Sequence, residues 1–214
     1  MNILSDTTME YDSQNFDGLV CENKEIRSRE FNDCIFTGCL FAKTIFRKCK
    51  FCDCTFKECD LSLIGVNGCS FTNTKFESSK VMGVNWTEAM WPKGKFLNTV
   101  DFSDCLISHS TFIGLQLREI TMKKCVARDM DFSDANLSKA NCTHTDFADS
   151  RFSHTDLTEA DFSGATNYYI DVTLNVIKKT RFSLPEAMSL LYSLDIVLTD
   201  PAAADPLHAT MKHK

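Results

Sequence analysis

Apolar residues recur at every fifth position along most of this 214-residue chain. Counting from Phe16, they are Cys21, Ile26, Phe31, Phe36, Phe41, Phe46, Phe51, Phe56, Leu61, Val66, Phe71, Phe76, Val81, Trp86, Trp91 and Phe96. The phase slips by one residue across 97–101, then resumes with Phe102, Ile107, Phe112, Leu117, Met122, Ala127, Phe132, Leu137, Cys142, Phe147, Phe152, Leu157 and Phe162. All thirty positions are apolar and take sixteen of the seventeen phenylalanines, so the pattern is not chance. Neither a helix of period 3.6 nor a strand of period 2 produces it.

A period of five predicts a coil with four flat sides, one pentapeptide to a side, its central residue i pointing inward. Residue i−2 also points inward but sits near a corner and must be small. Cys34, Cys39, Thr44, Cys49, Cys54, Cys59, Cys69, Thr74, Ser79, Cys105, Ser110, Cys125, Ala135, Ala140, Thr145 and Ala160 obey. Residues i−1, i+1 and i+2 face water. Thirty such units at four per turn give about seven and a half coils, a rod of roughly 36 Å at strand spacing. A coil cannot close its own apolar ends, so both ends need caps. Gln14, Leu19, Lys24 and Arg29 hold the first i−2 sites, and Lys or Arg cannot enter a dry shaft. The strict coil is therefore expected from Cys34, after a looser first turn. The expected divisions are an N-terminal arm at 1–15, the coil at 16–165, a helix and short strand within 166–198, and a disordered tail at 199–214.

Charge and cysteine content narrow the function classes. The net charge is −6 and the pI about 5.4, which argues against a duplex-binding protein held by basic residues. No run of eighteen apolar residues exists to span a membrane. The start, MNILSDTTMEYD, lacks the basic and apolar regions of a secretory signal. Eleven cysteines in an unsecreted chain imply free thiols, and a cytoplasmic location is expected. Cys49, Cys52, Cys54 and Cys59 could suggest zinc. However, eight cysteines sit at i−2 and Cys21 and Cys142 at i, where free Cys serves as a small apolar residue. Only Cys52 points outward, so no metal is expected. His144 and His154 fall two sides apart and cannot form a pair, and His109 stands alone. With no nucleophile, phosphate-loop or metalloprotease motif, and no inward space for a pocket, the chain is expected to have no catalytic residue, cofactor or small-molecule substrate.

Ala135-Asn136-Leu137, Thr155-Asp156-Leu157 and Ala160-Asp161-Phe162, with the run from Cys34, resemble the A(D/N)Lxx signature of the pentapeptide-repeat family. The resemblance covers about residues 16–165 and implies an all-β fold, a right-handed quadrilateral β-helix. Val81–Pro92 (VMGVNWTEAMWP) and Arg181–Leu198 (RFSLPEAMSLLYSLDIVL) are similar to segments of albicidin-resistance and Qnr-type proteins. That likeness implies an acidic rod that mimics DNA, binds DNA gyrase and in some cases topoisomerase IV, and protects the enzyme from poisons. It also implies a homodimer formed through the C-terminal helix and strand. Some Qnr-type proteins carry loops that contact the topoisomerase; residues 92–100 read as a bulge or short loop, either only a kink in the coil or, through Pro92, Lys93, Gly94 and Lys95, such a contact.

The residues themselves add two features. Between 24 and 95 the chain has 12 basic and 8 acidic residues, whereas between 129 and 171 it has 2 basic and 9 acidic. Asp101, Asp131, Asp146, Asp156 and Asp161 fall at i−1, where turn hydrogen bonding alone can explain an Asp. Asp104, Glu119, Asp129, Asp134, Asp149 and Glu159 fall at i+2, where that explanation is weaker. Asp129 and Asp149 share one side, Glu119 and Glu159 another with Lys139 between them, so the acidity is expected to wrap around the rod. Ser183-Leu184-Pro185-Glu186 reads as a capping box opening a helix that ends near Ser193 or Leu194. Leu184, Met188, Leu191 and Tyr192, with the strand Ile196-Val197-Leu198, give that module more apolar surface than an end cap needs, as a dimer interface would. The expected function is protection of gyrase by an acidic DNA mimic that binds no nucleic acid itself. The alternative is a scaffold that docks another cytoplasmic protein.

Overall fold

The computed structural model describes residues 8–91, 100–194, 196, 197 and 199. The chain winds into a solenoid of about eight turns, built from strands of two to four residues joined by tight corners. Every strand pair is parallel, and the regular register is twenty residues, as in Tyr11↔Phe31, Phe16↔Phe36 and Ile26↔Phe46. Four sides follow. The first carries Tyr11, Phe31, Phe51 and Phe71, the second Phe16, Phe36, Phe56 and Phe76. The third carries Cys21, Phe41, Leu61 and Val81, the fourth Ile26, Phe46, Val66 and Trp86. Rings on one side stack, Phe36 on Phe56 at 4.5 Å and 6°. Rings on neighbouring sides meet edge to face, Phe31 and Phe36 at 5.4 Å and 72°. Both are preferred aromatic geometries, so one ring type fills the shaft densely.

Most sides end at an i+2 residue whose φ is positive, from Ser13 at 49° to Lys179 at 57°. That conformation favours Gly, Asn and Asp and penalises bulky apolar residues, which is why this position is polar along the rod.

The i−2 residues do more than fit. Cys59 Sγ donates to the Phe36 carbonyl at 3.3 Å and accepts from the Cys39 amide at 3.4 Å. Thr145 Oγ1 likewise donates to the Met122 carbonyl at 2.6 Å and accepts from the Cys125 amide at 3.1 Å. Each such side chain thus stitches its coil to the one before, satisfying corner groups that the strand ladder leaves over. This explains why Cys, Ser and Thr outnumber Ala there. Smallness alone does not require a donor. In the first turn Gln14 and Lys24 are exposed, Leu19 packs against the edge of the core, and the half-buried Arg29 reaches Met9.

The structure corrects several boundaries. The coil begins at the strand Glu10–Asp12, with Tyr11 buried and stacked on Phe31 at 5.1 Å, so the first turn is regular and 1–15 is not all arm. It ends at the strand Arg181–Phe182, where Phe182 lies over Phe162, beyond residue 165. The period hides this because Asn167 takes a central position while the ring of Tyr168, one residue late, is buried in its place. At the slip, Phe102 pairs with Phe76, twenty-six residues apart, so six residues are inserted, and Val100 and Asp101 already belong to the strand. Trp86 is buried and stacks on Phe112, but Trp91 is only half-buried, its Nε1 donating to the Trp86 carbonyl. Pro92, Lys93, Gly94 and Lys95 lie outside the described residues.

The C-terminal helix forms, but as a 3-10 helix, Glu186–Ser193, rather than an α-helix, and without a capping box. Ser183 Oγ accepts from the Gly164 amide and Glu186 Oε1 from the Asn167 amide. Ser193 Oγ accepts from the Val172 amide. These acceptors serve the open end of the last coil, as the next coil's i−2 residues would have done, and so are not free to cap their own helix. Ile196 and Val197 are exposed and form no strand, because no described strand lies beside them to supply ladder partners. Leu198 lies outside the described residues.

Candidate partner-binding surface

The cysteines are structural. Burial pushes the thiols of Cys54 and Cys125 up to about 12 and that of Cys105 to about 11, so these three stay protonated donors and not thiolate ligands. No group of three metal-capable side chains occurs among the described residues. Cys52, the half-buried one, is hydrogen-bonded to Asp53, whose carboxylate pushes its thiol up as well.

The acidic candidates separate into two classes. Asp131, Asp146, Asp156 and Asp161, at i−1, are half-buried and each accepts from the backbone amide two residues on, at 2.9 to 3.1 Å. Partial burial favours the neutral form of Asp146, but hydrogen bonds from Asn167, Arg128 and the Ala148 amide outweigh it and hold the carboxyl below its usual range. These four aspartates shape turns. Asp104, Glu119, Asp129, Asp134, Asp149 and Glu159 are exposed.

Register then sorts the exposed charge by side. On the first side Glu119, Lys139, Glu159 and Lys179 form an alternating ladder with contacts of 3.9 to 4.0 Å. With Arg118, Lys178 and Asp156 that side is balanced. On the second side, Lys123, Lys124 and Arg181 offset Asp101, Asp104 and Asp161. The third side keeps Asp129, Asp146 and Asp149 against Arg128, and the fourth Asp131, Asp134 and Asp171 against Arg151. The acidity therefore does not wrap evenly. It is concentrated on two adjacent sides, because basic residues cancel it on the other two. His109, which looked solitary in the sequence, sits on the third side with Nδ1 2.9 Å from Asp129 Oδ2, and His154 lies 3.9 Å from Asp134. A twenty-residue spacing was the signal that could have found both pairs.

At the C-terminal end, Leu184, Met188 and Tyr192 are exposed at 78, 44 and 70 %. Leu190 packs on the core and Leu191 is half-buried, so the helix seals the coil with one face and leaves an apolar face outward. No described helix is long and apolar enough to cross a membrane.

Comparison with known proteins places this geometry. Residues 29–100 match a family model described as a pentapeptide repeat region, and residues 131–166 one described as pentapeptide repeats in eight copies. No curated protein matches. A trypsin-treated variant of QnrB1, a plasmid-mediated fluoroquinolone resistance protein, superposes with a TM-score of 0.66 at 14 % identity, covering 89 % of this chain and 100 % of the other. Full-length QnrB1 gives 0.61 at 15 % identity over 87 % of this chain and 100 % of the other. At that identity the likeness is one of fold.

Proposed function

The chain belongs to the pentapeptide-repeat family, and from that premise we propose that it is a non-catalytic rod that protects DNA gyrase, with topoisomerase IV a second target, from topoisomerase poisons. The observation that carries this reading is the net negative charge on two adjacent sides of the C-terminal half, opposite two sides that are neutral. A protein that handles DNA presents a basic saddle, and a rod with one acidic flank complements it without repelling everything else. The fold shared with QnrB1, itself a fluoroquinolone resistance protein, supports the reading.

The exposed face of the C-terminal helix supports a homodimer in which two acidic halves meet at the centre of a longer rod. Leu184, Met188 and Tyr192, joined by Ile196 and Val197, supply the self-complementary apolar patch that a two-fold interface requires. In this reading binding is the whole activity, in keeping with a shaft packed with side chains.

The test is a gyrase supercoiling assay run in parallel with a quinolone, albicidin and a microcin. Near-stoichiometric protein restores supercoiling against at least one poison; protection against none of them would sink the proposal. A partner other than a topoisomerase, bound with little salt dependence, would favour a scaffold instead.

A further inference from the structure

The third side has a second peculiarity. Its outward positions hold Leu40, Leu63 and Leu106, exposed at 40, 55 and 38 %, with Met82 half-buried between them and Val126 half-buried one coil beyond Leu106. Lys80 and Asp60 in this stretch lie 4.0 Å apart and offset each other, and Lys43 stands exposed one coil before Leu63 in the same column. Exposed large apolar residues on the other sides, such as Ile35 and Ile113, stand singly in the repeat.

Leu63 is the sharper anomaly. It occupies an i+2 position with φ 59°, the one apolar residue among the described non-glycine residues at positive φ. A leucine there is disfavoured by its backbone and gains little from burial, so neither folding nor solubility accounts for it. The next residue in its column is Gly83, where an added Cβ would collide with Leu63 Cδ2. The leucine therefore lies flat over bare backbone, held as a low apolar mound. The same column continues through His109 to Asp129 and Asp149, and the Leu106 column through Val126 to Asp146. Four coils separate Leu63 from Asp149, about 19 Å at strand spacing. Mound and acidic patch fit inside one ordinary footprint of about 800 Å².

We propose that the third side is the docking face, with Leu63, Leu40 and Leu106 as its apolar anchor and Asp129 and Asp149 as its anionic flank. The partner it fits is a protein surface carrying an apolar side chain bordered by Lys or Arg. The identification of that partner as a topoisomerase rests on the function proposed above; the choice of side does not.

Leu63→Asn and Leu106→Thr test it in the full-length chain, with Ile35→Thr as the control on the second side. Asn is well suited to positive φ, so Leu63→Asn keeps or raises the thermal midpoint. Affinity for the intact gyrase tetramer should fall about tenfold or more in each variant, the loss typical of truncating an anchor, while Ile35→Thr binds as the wild type does. Folded variants at both leucines that bind like the wild type, or an equal loss in Ile35→Thr, overturn the docking face alone. Absence of binding by the wild type to gyrase and to topoisomerase IV overturns the topoisomerase reading and this assignment with it.

Discussion

At the scale of single residues, the i−2 site decides more than its size suggests. A thiol or hydroxyl there donates upward to a carbonyl twenty-three residues back, as Ser150 Oγ does to Ala127 at 2.6 Å. An alanine of similar bulk leaves those groups to other partners. Replacing Thr145 by Val keeps the shape and removes the hydroxyl, stranding the Met122 carbonyl and the Cys125 amide in a dry shaft. The expected loss is about 1–3 kcal/mol, the ordinary cost of a buried unsatisfied group. Denaturant unfolding measures it, and Thr145→Ser, which keeps the hydroxyl, should lose less. Equal stability of Thr145→Val and the wild type would mean the stitch contributes nothing. The apolar period was fully legible here. The stitch was not, because a linear pattern shows that a position is small and says nothing of what its oxygen or sulfur meets one coil away.

Among the elements, the C-terminal helix is where local rules misled. Ser183 and Glu186 have the spacing of a capping box, yet both side chains are drawn to the amides of Gly164 and Asn167. The last coil has donors in need of acceptors and no further coil to provide them. That demand is tertiary and outweighs the local cap. The helix is thus a terminal pseudo-coil on one face and an apolar surface on the other. Met188→Lys with Tyr192→Lys changes only the outward face, so light scattering should find monomers with the coil's circular dichroism intact. Dimers that survive both charges would place the interface elsewhere.

For the whole molecule, charge is arranged by register. Glu119 and Glu159 are exposed, as Asp129 and Asp149 are, but Lys139 and Lys179 stand beside them. Reversing Asp129 and Asp149 to Lys should weaken gyrase binding and flatten its salt dependence. Reversing Glu119 and Glu159 adds the same formal charge on the balanced side and should do much less. Equal effects would show that the rod's total charge matters and its sidedness does not. The sequence by itself determined the four-sided coil, its aromatic core, the inward placement of nearly all the cysteines, and the basic-to-acidic gradient along the chain. The first three follow from a five-residue period in which neighbours in sequence share the job of filling one shaft, and the gradient from composition alone. Only the tertiary structure decided where the coil begins and ends, what caps it, and which sides are acidic or apolar. Those depend on contacts between residues twenty or more positions apart, where a Tyr one residue late can fill a gap and a Lys on the adjacent coil can cancel a Glu.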